Sequence, residues 1–392
     1  MDITTGFGPV VGGSNPSGGT TINSLIFIRP YSSMVEQLPL KQVVPGSSPG
    51  GGTTIKMPTK EFKNKIFVPT FAKSETDIQT SLAISEEIAK IGYQACLMLV
   101  IKNGLDGLIG RNKEEQYKNL KTLVPEYTEK PIIVMLSNFP LEEIDFLKNC
   151  DAAVAHIKAG IDFASEMPVG GRRIVTFHIN TWIAQKKFHA TPEHEWFNRF
   201  NKAIMPSLRK ISEYSKSKNI EIKIETDPVP VFGDIGNDDI RRYKGVRLNE
   251  LRSPFLWTHG WGFEIIRETG LGVCLDFSHN RTIYQTIQRG DPDKILPIFF
   301  LNKLKDSSLI DDLNNLQTSD IVHLNDGLGL YSKNRTTFEE GVALGEGDIE
   351  NLDDKIRHLN KMKIPFVIEV RDNNFNDRVE TKRSIAYLSK LG

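Results

Sequence analysis

Excess charge of either sign is missing from this chain: 49 Lys and Arg stand against 49 Asp and Glu in 392 residues. A general nucleic-acid or membrane-surface binder carries a basic surplus, so the balance speaks against both classes, although a local basic groove would escape the test. Cysteine is nearly absent. Cys96, Cys150 and Cys274 are unevenly spaced, Cys96 and Cys274 lie inside apolar runs, and there is no CxxC pair. That excludes a disulfide framework and a thiolate metal site, and fits reduced core cysteines of a cytoplasmic protein. No apolar run approaches the length of a membrane span. The N-terminus also lacks the basic start and apolar stretch of a secretory signal. Nothing in the sequence indicates an oligomeric state.

Residues 1–56 lack something else, a sustained periodicity of any kind. They are rich in Gly, Ser, Thr and Pro and poor in charge, a composition that predicts disorder. Two fragments resemble one another, GGSNPSGGTT at 12–21 and GSSPGGGTT at 46–54. Both can be read back into nucleotides resembling the T-arm of a transfer RNA gene, and SSMVEQ at 32–37 resembles a D-arm. The segment therefore reads as translated tandem tRNA genes, with the protein proper expected over 57–392.

From Met57 onward, short apolar runs alternate with charged amphipathic stretches. The runs are 65–71, 94–101, 131–137, 152–157, 173–179, 220–225, 272–276, 320–324 and 365–370, and helices are expected at 75–91, 114–126, 140–149, 193–218, 283–305 and 349–362. Near-continuous apolar strands separated by helices indicate a parallel sheet covered on both faces. A (β/α)8 TIM barrel needs one strand fewer than this list holds, so 131–137 or 152–157 is expected to lie outside it. A doubly wound sheet is the alternative; the barrel is preferred because polar residues recur at successive strand ends. In TPEHEW the pattern predicts Thr191 as helix cap and Pro192 at the first helical position. A large insertion, rich in Pro, Gly, Asp and Arg, occupies about 227–262. The glycines of GLDGLIG (104–110) do not have dinucleotide-binding spacing and read as a turn.

The later strands end in His178, Glu225, Asp276 with His279 just beyond, His323 with Asp326, and Glu369. Taken singly, a strand-end carboxylate is ordinarily a helix cap or ion-pair partner, and a histidine on an apolar run a satisfied core residue. In a closed barrel, however, these ends converge, and several carboxylates in one pocket need a cation or shared protons. Two Glu, one Asp and one His suit a divalent ion with open positions. Such oxygen-rich ligation favours Mn2+ or Mg2+ and also admits Zn2+ or Co2+. In GVCLDFSHN, Asp276 is expected at the strand end and His279 on the turn beyond it.

The stretch DIVHLNDG…ALGEGDIENLDDKIRHLNKMKIPFVIEV, at 320–370, resembles the xylose-isomerase-like barrel superfamily of sugar phosphate isomerases and epimerases, to which endonuclease IV also belongs. The resemblance covers most of the chain from Met57 and is specific from about 173 onward. It implies metal ligands at Glu225, Asp276, His323 and Glu369, and a substrate-contacting histidine at His279. The chain departs from endonuclease IV between HLNDG and GEG, where the Asp-Arg-His segment that supplies ligands for a third zinc is missing.

The function implied is a metal-dependent isomerase or epimerase of a small sugar, sugar phosphate or hydroxy-keto acid, working by enediolate proton transfer. Glu225 and Glu369 would move the proton, and His279, His178 and Asp326 would contact substrate. Arg335, with Lys333, would meet a phosphate or hydroxyl. Alternatives are a dehydratase on the same constellation, an endonuclease IV-like phosphodiesterase with His156 and His178 as extra ligands, and a non-catalytic scaffold. The expected partner is a carbohydrate-like small molecule, with nucleic acid disfavoured and no membrane.

Overall fold

A computed structural model describes residues 62–71, 74–101, 118–119, 130–136, 145–167, 169–228, 242–243, 245–247, 250–253, 255, 257–260, 262–289, 292, 296–329, 339–374 and 376–391. Residues 1–56, most of the 227–262 insertion, GLDGLIG, most of 114–126, Lys333 and Arg335 lie outside the described residues.

Eight parallel strands close into a barrel: β1 Lys65–Thr70, β2 Gln94–Ile101, β3 Ile132–Leu136, β4 Arg173–His178, β5 Glu221–Glu225, β6 Gly272–Asp276, β7 Ile321–Leu324 and β8 Phe366–Ile368. Each strand pairs with its chain neighbours, and β8 closes on β1 through Ile66–Phe366 and Phe67–Val367. The doubly wound alternative is thereby excluded.

Two cores follow from the period-two alternation of strands. Ile66 and Val68, Leu97 and Leu99, Ile222 and Ile224, and Val273 and Leu275 face the helices. Phe67, Met98, Ile133, Ile174, Cys274, Ile321 and Val367 fill the barrel interior. This parity decides where the polar strand ends point. His178 shares the parity of Ile174, Asp276 that of Cys274, His323 that of Ile321, and Glu369 that of Val367. Glu225 alternates with the outward Ile222 and Ile224. All five therefore project into the barrel, at the C-terminal end of the strands.

Several sequence expectations are corrected. The surplus run 152–157 is no strand: it lies within the helix Cys150–Ser165. Its composition explains why, since AAVAHI is half alanine, the strongest helix former. In place of a helix over 140–149, residues 146–148 form a turn, and 137–144 lie outside the described residues. The stretch at 193–218 is helical but in three pieces, Glu193–Arg199, a π-helical turn Phe200–Ile204, and Met205–Ser217. Pro206 supplies the cause, because it lacks the N–H that a regular helix would need there. Thr191 does not cap the first piece. Pro192 holds the cap position, and the Thr191 hydroxyl donates back to the Lys187 carbonyl at 2.8 Å. The stretch at 283–305 contains two helices, Phe277–Arg289 and Ile298–Leu304. No helix among the described residues is long and apolar enough to cross a membrane, and all three cysteines are free.

Candidate metal centre

The register of β5 to β8 sets the depth of each group. Asp276 pairs with His323, His323 with Val367, and Cys274 with Glu225, so Glu225 sits deeper than Asp276. Side-chain atoms of Glu225, Asp276, His323 and Glu369 all lie within 4.8 Å of one another. Glu225, Asp276 and His323 are essentially inaccessible to solvent, while Glu369 keeps 16% of its side chain exposed.

His323 carries the clearest sign of what this group is built for. Its Nδ1 lies 2.9 Å from Glu225 Oε1 and also against Glu369 Oε2. One ring nitrogen bears at most one hydrogen, so it cannot satisfy both carboxylates. Neither Glu369 Oε2 nor Glu225 Oε2 has a hydrogen bond of good geometry, the latter facing only His178 Nε2 at 3.3 Å. Three carboxylates and an imidazole nitrogen, with poorly satisfied oxygens converging, fit a divalent cation.

Asp276 has a second duty. Its Oδ1 accepts from Ser278 Oγ and the His279 N–H, both at 2.9 Å, and its Oδ2 accepts from Asn325 Nδ2 at 2.9 Å. It thus caps the helix Phe277–Arg289, which begins immediately after β6. The expected turn at His279 is instead the first turn of that helix, and the capping bonds leave Asp276 lone pairs free toward the cluster.

His178 and His279 form the other wall, with ring centroids 5.6 Å apart. His178 is clamped between Asp227 (Nδ1–Oδ1 2.8 Å) and Glu225 (Nε2–Oε2 3.3 Å). His279 Nδ1 meets the Thr226 carbonyl at 2.7 Å, which makes that nitrogen the donor. Its Nε2 faces Glu340 Oε2 at 3.4 Å, and Glu340 in turn accepts from Arg371 Nη2 at 2.5 Å. Glu340 lies on the hairpin that pairs Asp326–Leu328 with Glu339–Val342. His178, Glu225 and His279 themselves come close enough to hold a cation.

These contacts separate the two glutamates electrostatically. Burial works to raise Glu225, but His178 and His323 outweigh it and hold this carboxyl well below its ordinary range. Burial also raises Glu369, and there the net shift is upward, with the Glu225 charge adding to burial against the pull of His323. Burial lowers His178 and His279, yet the carboxylates around each prevail, so that His178 is raised well above its usual value and His279 to about 10.

Asp326 and His156 stand outside both ion clusters. Asp326 was expected to touch substrate, but its carboxylate is taken up by four backbone N–H groups: Gly327 and Ile349 on Oδ1, Gly345 and Gly347 on Oδ2. It therefore clasps the GEGDI turn. A Cβ at Gly347 would fall 2.2 Å from Asp326 Oδ1, which is why the motif needs glycine there. His156 is absent from both candidate ion clusters; it is buried in the helix Cys150–Ser165 with no partner at either ring nitrogen. Asp227, Glu340 and Arg371 escaped the sequence reading. Asp227 had a signal, being two residues after Glu225, whereas Glu340 meets His279, and Arg371 meets Glu340, only through the fold.

No family model matches the sequence, and no curated protein matches it either. Among solved structures, the chain is similar to a D-tagatose 3-epimerase-like protein, at 19% identity and TM-score 0.48, over 83% of this chain and 97% of the other. It is also similar to D-allulose 3-epimerase from Methylomonas sp. in complex with D-allulose, at 11% identity and TM-score 0.46, over 84% and 99%. A third is a xylose isomerase-like TIM barrel protein from Mycobacterium smegmatis in complex with magnesium, at 9% identity and TM-score 0.45, over 84% and 96%. By its own strand order and closure, this chain is an eight-stranded parallel (β/α) TIM barrel, the fold that its sequence implied.

Proposed function

We propose that the protein is a divalent-metal-dependent isomerase or epimerase of a small sugar or hydroxy-ketone, transferring a proton at the carbon between a carbonyl and a hydroxyl. The observation that carries this reading is the buried convergence of Glu225, Asp276, His323 and Glu369, with two oxygens left without a hydrogen bond of good geometry. Mn2+ or Mg2+ suits this oxygen-rich donor set best. When bound, such an ion would polarise the substrate carbonyl and hydroxyl and acidify the C–H bond between them.

The chain's own groups supply the rest. Glu225 stays ionised between two histidines while Glu369 is pushed toward protonation, and a pair of carboxyls split in this way is the usual arrangement for removing and returning a proton. Glu369, the more accessible of the two, is assigned the exchange with the substrate carbon. His279, its Nδ1 spent on the Thr226 carbonyl, is left with Nε2 for a substrate oxygen, and Glu340 keeps that edge turned as a donor. His178 holds Glu225 in place from behind.

The test is deuterium uptake from heavy water into candidate ketoses, sugar phosphates and hydroxy-keto acids. Glu369→Gln should lower exchange ~10²–10⁴-fold, the usual loss on removing a general base. Unchanged exchange in that variant would falsify the assignment of the base. The His178–Glu225–His279 group supports a second reading, phosphodiester cleavage with a second ion. Metal-dependent cleavage of abasic-site DNA with no exchange on any sugar would establish it. Net loss of water from the substrate would point to a dehydratase instead.

A further inference from the structure

A cavity of about 740 Å³ lies away from the ion cluster, among segments that leave the C-terminal ends of β3, β4 and β5. That volume falls in the range of small-molecule sites. Leu147, Ala184, Ala203 and Val246, all partly exposed, give it an apolar lining, and its charged groups are predominantly cationic.

Two of those cations are already engaged. Lys148 Nζ donates to the Trp182 carbonyl at 2.8 Å and pairs with Asp145 at 2.9 Å. Arg199 pairs with Glu195 and stacks on Trp196 at 4.9 Å. Lys187 and Lys202 are different: both are exposed, and neither has a side-chain partner among the described residues. Two ammonium groups without a carboxylate partner therefore stand at the rim of this cavity. Lys202 belongs to the π-helical turn Phe200–Ile204. Such turns are energetically poor and recur at functional sites.

We propose that this cavity is a second binding site, for a small organic anion: an aromatic or aliphatic body on the Leu147, Ala184, Ala203 and Val246 surface, with a carboxylate, phosphate or sulfonate met by Lys187 and Lys202. The apolar lining provides the binding free energy and the two lysines select the charge. The site does not depend on the ion cluster of the barrel.

The probe is 8-anilinonaphthalene-1-sulfonate, titrated into the full chain and followed by fluorescence, with N-phenyl-1-naphthylamine as its uncharged counterpart. One saturable sulfonate site per chain is expected, unchanged by chelating divalent metal. In Lys187→Glu/Lys202→Glu, sulfonate affinity should fall about tenfold or more while the neutral amine changes less than about twofold, the signature of a local charge contribution. Lys187→Gln/Lys202→Gln should fall between parent and reversal. Both side chains are exposed, so an unchanged melting temperature will show that the variants fold. Non-saturable sulfonate binding would overturn the proposal, as would equal loss for both probes or no loss on charge reversal. Loss of epimerase or metal-binding activity would bear on the barrel site alone, because sulfonate binding is read without either.

Discussion

His156→Leu should make the protein more resistant to acid while leaving metal binding untouched. His156 is 2% exposed, and neither ring nitrogen has a hydrogen-bond partner. Burial alone lowers its pKa from 6.5 to about 4. The sign follows from linkage. The unfolded chain takes up the proton as pH falls below about 6.5, the folded chain only near 4, so acidification favours unfolding. Integrated from pH 7.5 to pH 4.5, this one histidine costs the folded state about 2.5 kcal/mol. Leucine has no proton to bind, so the stability gap between variant and parent should widen by about that amount over the same range. At pH 7.5 the variant should already gain about 1 kcal/mol or more, because two buried polar atoms without partners are removed. Urea unfolding of both proteins at both pH values, with chelator present throughout, measures the difference with the metal contribution cancelled. A gap that stays constant with pH would refute the argument. Undiminished metal binding is expected, since His156 belongs to neither ion cluster.

Other perturbations probe the site and the barrel closure. Mn2+ added to chelator-treated protein should raise the melting temperature in proportion to the logarithm of its concentration, by about 2.7 kcal/mol of stability at a hundredfold excess over Kd; Glu225→Gln should flatten that titration. Arg378 is buried, pairs with Asp77 and donates to the Pro69 carbonyl, tying the segment after β8 to the start of the barrel. Arg378→Met should cost about 3–5 kcal/mol in urea unfolding by stranding the Asp77 charge, and Asp77→Asn added to it should recover part of the loss. His259 Nδ1 lies 2.6 Å from the buried Asp312, a contact that raises the histidine pKa against partial burial. The folded state therefore holds that proton more tightly, so the pair's contribution is fully present below about pH 6.5 and is lost as pH rises through the elevated value. His259→Asn should accordingly lie furthest below the parent in melting temperature near pH 6 and converge with it toward alkaline pH; parallel curves would reject the pairing.

The sequence by itself determined a parallel sheet covered by helices and the polar residues that stand at its strand ends. Apolar runs of strand length, alternating with amphipathic stretches, suit a barrel and a doubly wound sheet alike, and the pairing of β8 with β1 decided for the barrel. Period-two parity then obliges His178, Glu225, Asp276, His323 and Glu369 to face inward with Ile174, Cys274, Ile321 and Val367. Local sequence could not say that AAVAHI is a helix, because a short buried run looks alike in both states and only its alanines tip the balance. Nor could it tell that Asp326 is consumed by four backbone amides, since those of Gly345, Gly347 and Ile349 lie around twenty residues away on the GEGDI turn. Glu340 reaches His279 from a hairpin, Arg371 reaches Glu340 from the end of β8, and the Lys187–Lys202 cavity gathers segments from three connections. Those juxtapositions were decided by the tertiary structure alone, because strand closure fixes which loop tips meet and no spacing along the chain encodes that distance.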